Sequence, residues 1–171
     1  MNTDHPVRKH PRLPGYDYSQ SGAYFLTLCS HNRENTFGLI RNGHPYLSPL
    51  GVLIHEQWLA SKELRPGLTP DHFVIMPNHM HGIVWLQAQP PKSGRTRGPD
   101  LGTSLSSFVK GFKASVTSRY NRMQGGTLPV WQRSYYEHII RSQEDLERAR
   151  EYIRTNPENW GKDKYHQVFS R

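Results

Sequence analysis

His79-Met80-His81 is the segment in which residue type and spacing together allow chemistry. It opens an apolar run, His81 to Leu86, that reads as a strand. Alternate residues of a strand point to the same face. His79 and His81 can therefore present two imidazoles together while Met80 points away. Two such nitrogens are half of a metal site. The chain has ten histidines, so one His-x-His pattern is also compatible with a structural pair.

A second group lies near the C-terminus. Ser142, with Asp145 three residues on, resembles a capping box that opens a helix, and Pro157 closes it. Leu146, Ala149 and Ile153 form the buried stripe of that helix. Tyr152 and Asn156 are four apart and share a flanking face. The phenol is a possible nucleophile, and the amide oxygen a possible metal ligand. Packing of the tyrosine and a simple Asn-Pro helix stop are the competing readings. Other groups suit an anionic polymer: Lys110, Lys113 and Arg119 on an earlier helix, with Trp131 and Arg133 before a strand that carries Tyr135, Tyr136 and His138. Each of these also has a plain role as core or solvated surface.

The elements that must position these groups follow from periodicity. Ala23 to Cys29 reads as a buried strand. Ser48-Pro49 starts a helix that stops before Pro66. Phe73 to Met76 and His81 to Leu86 read as two strands joined by a tight turn at Pro77-Asn78. Residues 88–102 form a loop rich in Pro, Gly and basic residues. Leu105, Phe108, Val109, Phe112, Val116 and Tyr120 mark the apolar stripe of a helix over 104–123. Residues 130–140 read as a fourth strand. The order strand, helix, strand, strand, helix, strand matches the split βαβ, or ferredoxin-like, plan. The expected class is thus α+β: a four-stranded antiparallel sheet with helices on one face, plus a C-terminal helix bearing Tyr152.

Composition sets the outer limits. The 171 residues suffice for one domain, with 22 basic against 14 acidic residues and a formal net charge of +8. That balance suits a polyanionic partner. A single cysteine, Cys29, excludes a disulfide framework and a Cys-rich zinc site. No stretch reads as a signal peptide or a membrane span, so a cytoplasmic location is expected. Residues 1–14 read as a flexible basic arm, 15–165 as the domain and 166–171 as a tail.

Several stretches together resemble the HUH single-tyrosine transposases, named for His-hydrophobic-His. They are Gly15-Tyr16-Asp17-Tyr18, Tyr24-Phe25-Leu26-Thr27, Met76 to Val84, Trp131 to His138, and Glu151-Tyr152-Ile153-Arg154-Thr155-Asn156-Pro157. Within that family the chain looks most like the REP-associated tyrosine transposases. The resemblance implies that His79, His81 and Asn156 bind Mg²⁺ or Mn²⁺ and that Tyr152 is the nucleophile. Relatives that move insertion sequences often carry Gln at the position of Asn156. The implied substrate is single-stranded DNA bearing imperfect hairpins, cut and rejoined through a 5′-phosphotyrosine. The implied setting is the bacterial nucleoid, with a monomer favoured over a homodimer. Three alternatives remain at this level. A hairpin DNA- or RNA-binding protein of the same fold would form no covalent adduct. A metal hydrolase of another class would need further orderly ligands, and a structural or protein-interaction role would leave the paired motifs unexplained.

Overall fold

The computed structural model of the chain describes residues 21–87, 104–163 and 165. The arm at 1–14, the first residues assigned to the domain, the whole 88–102 loop and the tail at 166–171 lie outside the described residues. The chain runs β1 (Gly22–Cys29), β2 (Gly38–Arg41), β3 (His44–Leu47), α1 (Pro49–Leu64), β4 (Leu68–Met76), β5 (His79–Leu86), α2 (Leu105–Gln124), β6 (Tyr136–Ile140) and α3 (Gln143–Thr155). The main sheet has the order β4-β5-β1-β6, with every pair antiparallel. This is the ferredoxin-like arrangement expected from the sequence, with a small β2–β3 hairpin added.

Both faces of the sheet are covered, which explains why nearly every residue of β1 is buried. Tyr24, Leu26 and Leu28 point to one face and join Ile54, Trp58, Phe108 and Phe112 of α1 and α2 in the main core. Phe25 points the other way and joins Ile83, Leu146 and Ile153 beneath α3. The alternation of β1 and β5 thus sends Met80 into the first core and the two histidines toward α3. Gly82 lets β5 press against α1, since a Cβ there would stand 2.5 Å from the Trp58 ring.

Helix ends follow local chemistry. Ser48, Ser104 and Ser142 each accept a backbone N–H from three residues on. Gly125 closes α2 in the left-handed conformation, at φ 66°. Two sequence expectations need correction. The segment after β1 holds the β2–β3 hairpin as well as a loop; Asn42 and Gly43 turn it with φ of 51° and 75°. The strand expected over 130–140 begins only at Tyr136. Before it, the Lys113 ammonium takes the carbonyls of Gln132 and Ser134, and only Trp131 forms an isolated bridge, to Ser30. Among the described residues, no helix is long and apolar enough to cross a membrane.

Candidate metal centre and nucleophile

The two histidines begin β5 directly after the two-residue turn at Pro77-Asn78. His79 and His81 are 0% and 1% exposed. Asn78 fixes the first ring. Its amide nitrogen donates to the carbonyls of Arg33, at 3.1 Å, and Tyr165, at 2.7 Å. Its oxygen therefore faces His79 Nδ1 at 2.9 Å and must accept from it. Protonation at Nδ1 leaves the lone pair of His79 on Nε2. Thr27 holds the second ring, with Oγ1 2.9 Å from His81 Nδ1. Such outer partners set the tautomer and aim of ligand imidazoles.

The result is a pair of Nε2 atoms 3.0 Å apart. Two ligands at right angles on one ion, with bonds of about 2.1 Å, stand about 3.0 Å apart. Asp163 adds a carboxylate: its Oδ2 lies 4.0 Å from His79 Nε2, and His79, His81 and Asp163 offer ligand atoms all within 4.8 Å of one another. Asn156 donates to the same Oδ2 at 2.9 Å. The Oδ1 of Asn156 is buried with no hydrogen-bond partner among the described residues. Nitrogen and oxygen donors with an unsatisfied buried amide oxygen fit a divalent cation.

Tyr152 reaches this group from α3. Its hydroxyl is 3.4 Å from His81 Nε2, and its ring meets His81 and Phe25 edge-on. The side chain is 41% exposed, so the phenol is open to an incoming strand. Burial and the Asp163 carboxylate push its pKa up, with the Asn156 amide opposing them. The phenol is therefore protonated at neutral pH. The other side of the histidine pair is closed: Tyr165 and Trp160 stack over His79 at 4.6 and 6.0 Å. Burial pushes the Tyr165 phenol up to about 12.

An ion pair docks α3 on the sheet. Arg150, two residues before Tyr152, grips Asp71 with Nε at 3.2 Å and Nη2 at 2.6 Å. Asp71 sits where the β4–β5 register shifts, and Trp85 also donates to it. Burial pushes the Asp71 carboxyl up, but hydrogen bonds from Arg150, Trp85 and His72 outweigh this and hold it well below the usual range. We expect Asp71→Asn to cost about 1–2 kcal/mol at pH 7, after discounting for the solvent contact of Arg150. A depressed pKa gives stability that is present above the unfolded value of about 3.9 and lost as pH falls through the folded value. The difference between wild type and variant should therefore shrink from pH 7 to pH 2.5 in urea titrations. A constant difference would assign the effect to packing.

Sequence expectation and structure meet unevenly here. His79, His81, Tyr152 and Asn156 come together as expected. Lys110, Arg119 and Arg133 are exposed and remain open to a polyanion. Lys113 and Trp131 are instead engaged within the fold. The Lys113 ammonium is spent on two carbonyls, and burial lowers its pKa to about 8. Trp131 packs its ring on Phe37 and Phe112. The structure adds Asn78, Thr27 and Asp163 to this group. A polar residue inside the apolar run of β1 was a signal for Thr27, and adjacency to His79 was one for Asn78. Asp163 carried none, since it lies beyond the last helix.

No family model matches the chain. An uncharacterized protein of Haemophilus influenzae is 40% identical over 165 residues, with 91% of each chain aligned. Another protein of that organism, named for the REP-associated tyrosine transposases, is 25% identical over 153 residues, covering 85% of this chain and 75% of that one. The solved structure of a REP-associated tyrosine transposase bound to a REP hairpin shares the fold. Its TM-score is 0.60 at 24% identity, over 90% of this chain and 76% of that one. These likenesses give the fold of the solved transposase to this chain. It belongs to the same family as the first Haemophilus protein and resembles the REP-associated tyrosine transposases.

Proposed function

We propose that the chain is a metal-dependent enzyme that cuts and rejoins single-stranded, hairpin-bearing DNA through Tyr152. The observation that carries this reading is the Tyr152 hydroxyl at 3.4 Å from His81 Nε2, itself 3.0 Å from His79 Nε2. Mg²⁺ or Mn²⁺ held by His79, His81 and the linked Asn156–Asp163 pair would supply Lewis-acid neutralisation of a phosphodiester. Asn78 keeps the His79 lone pair on Nε2, facing inward, and Thr27 holds the His81 ring, whose Nε2 would offer its lone pair to a bound cation. Tyr152 oxygen bonds to phosphorus as its proton leaves to solvent, and the bond from phosphorus to the 3′-oxygen breaks as that oxygen takes a proton from solvent. The products are a 5′-phosphotyrosine and a free 3′-hydroxyl. A phenolate leaves more readily than an alkoxide, so a 3′-hydroxyl can reverse the step without ATP. The nucleophile and both histidines belong to one chain, which supports a monomer as the cutting unit. Exposed Lys110, Arg119 and Arg133 would add salt-sensitive affinity for the DNA backbone. The cytoplasm, at the nucleoid, is the proposed location.

The test is a denaturing gel with labelled hairpin DNA, with and without Mn²⁺. A protein–DNA adduct that requires the metal is the expected result. Tight binding without an adduct would favour the hairpin-binding alternative.

A further inference from the structure

α3 packs chiefly on β4 and β5, and a cleft of about 370 Å³ opens between it and β6. Tyr152 and Asp145 of α3 line one wall, His138 of β6 lines the other, and Phe25 lies between them. The backbone of Phe25 pairs with that of His138, and its ring meets the Tyr152 ring edge-on at 5.9 Å. The cleft thus adjoins the candidate centre and shares Tyr152 and His81 with it.

His138 is held as a proton carrier would be. Its Nε2 stands 2.9 Å from Asp145 Oδ2. A carboxylate only accepts, so Nε2 carries a hydrogen in either charge state of the ring. Asp145 is itself fixed: its Oδ2 also accepts the Arg141 amide at 3.2 Å, and its own amide donates to the Ser142 hydroxyl. Among the described residues nothing bonds to His138 Nδ1, and the side chain is 47% exposed. The proton that His138 can give up is therefore the one on Nδ1, and the tautomer left behind is the one Asp145 holds. A carboxylate orienting an imidazole is an arrangement that serves general acid–base catalysis.

Cutting at Tyr152 calls for such a group. A phenol has an ordinary pKa of about 10. The departing 3′-oxygen is an alkoxide, close in basicity to hydroxide, whose parent water has a pKa of about 15.7. The step therefore trades a weaker base for a much stronger one unless the leaving oxygen gains a proton or a compensating charge. Attacking and leaving oxygens stand roughly in line on opposite sides of phosphorus. Tyr152 attacks from α3, so the leaving oxygen faces the β6 wall. Arg148, which also lines the cleft, keeps its proton, and His81 is turned toward His79. His138 is the imidazole that remains.

We propose that His138 is the general acid that protonates the departing 3′-oxygen, with Asp145 positioning it. The assignment rests on the reading of Tyr152 as nucleophile. As the Tyr152 oxygen bonds to phosphorus, the electron pair of the bond to the 3′-oxygen goes to that oxygen, which takes the Nδ1 proton. The neutral imidazole regains a proton from solvent, so solvent is still the net donor. In rejoining, Nδ1 takes the proton of the attacking 3′-hydroxyl.

Hairpin DNA with sulfur in place of the scissile 3′-oxygen tests this. A thiol has a pKa of about 8.5, so the sulfur departs as thiolate without a proton. Wild type, His138→Ala and His138→Gln are compared by the rate of adduct formation with Mn²⁺ on matched oxygen and sulfur DNA. Both variants should slow cutting of the oxygen DNA about 10²- to 10³-fold, yet cut the sulfur DNA within about threefold of wild type. Cutting of the sulfur DNA also shows that each variant is folded. Glutamine can still donate to Asp145, so recovery of oxygen-DNA cutting in His138→Gln would make His138 structural and overturn the assignment. An equal loss on both DNAs, or no loss on either, would overturn it as well. In each of these cases the wild-type adduct leaves the role of Tyr152 standing. No adduct from wild type on either DNA would reject the cutting reaction and the general acid with it.

Discussion

Tyr152→Phe should abolish the covalent protein–DNA adduct and lower strand cleavage on the order of 10⁴-fold or more, as loss of a sole nucleophile does. The change removes one oxygen and leaves the ring against Phe25 and His81. The lost contact, at 3.4 Å to His81 Nε2, is long for a hydrogen bond. Stability should therefore change by less than about 1 kcal/mol, or a few degrees in melting temperature for a chain of this size. Affinity for hairpin DNA should stay within about fivefold of wild type, because the phenol is not among the basic groups that hold the backbone. A large chemical effect with a small structural one separates a nucleophile from a packing residue. An adduct that survives Tyr152→Phe would move the nucleophile. Tyr136 would be tested next, since it lines the adjoining cleft, whereas Tyr135 lies beside the Lys113 ammonium.

The same division between local and long-range causes explains what could be read from sequence. Ser48-Pro49 and Ser142 with Asp145 act within one helical turn, and the helices start where those residues put them. The two-residue period that places His79 and His81 on one face is equally local, as is the spacing of Tyr152 and Asn156. The strand expected from Val130 is interrupted: residues 130–132 exchange backbone bonds with Cys29 and His31, and the Gln132 and Ser134 carbonyls then go to Lys113, on a different element. Asn42-Gly43 is a local turn signal, but the short strands beside it carry little apolar alternation to mark a hairpin. Asp163 stands for the remainder: it enters the centre only because the chain beyond α3 folds back over His79.

Metal removal gives the second large effect, and it can be read without DNA. An ion that binds only the folded state at a hundred times its dissociation constant stabilises by about 2.7 kcal/mol. For a chain of this size that is a rise of roughly 5–10 °C in melting temperature. Wild type should show such a rise with Mn²⁺, and His79→Ala with His81→Ala should lose it together with the adduct. The double variant will melt lower even without metal, since both rings are buried against aromatic neighbours. The informative quantity is therefore the metal-dependent shift, measured for each protein against its own baseline. Single changes then divide the oxygen ligands. Asn156→Ala removes the unsatisfied Oδ1 and a donor to Asp163, while Asp163→Ala removes the carboxylate itself. If Asp163 binds the ion directly and Asn156 only orients it, Asp163→Ala erases the shift and Asn156→Ala weakens affinity about 10- to 100-fold. The reverse order would make the amide oxygen the ligand. A shift that persists without both histidines would place the ion elsewhere, and the 3.0 Å pair of nitrogens would then be a structural contact.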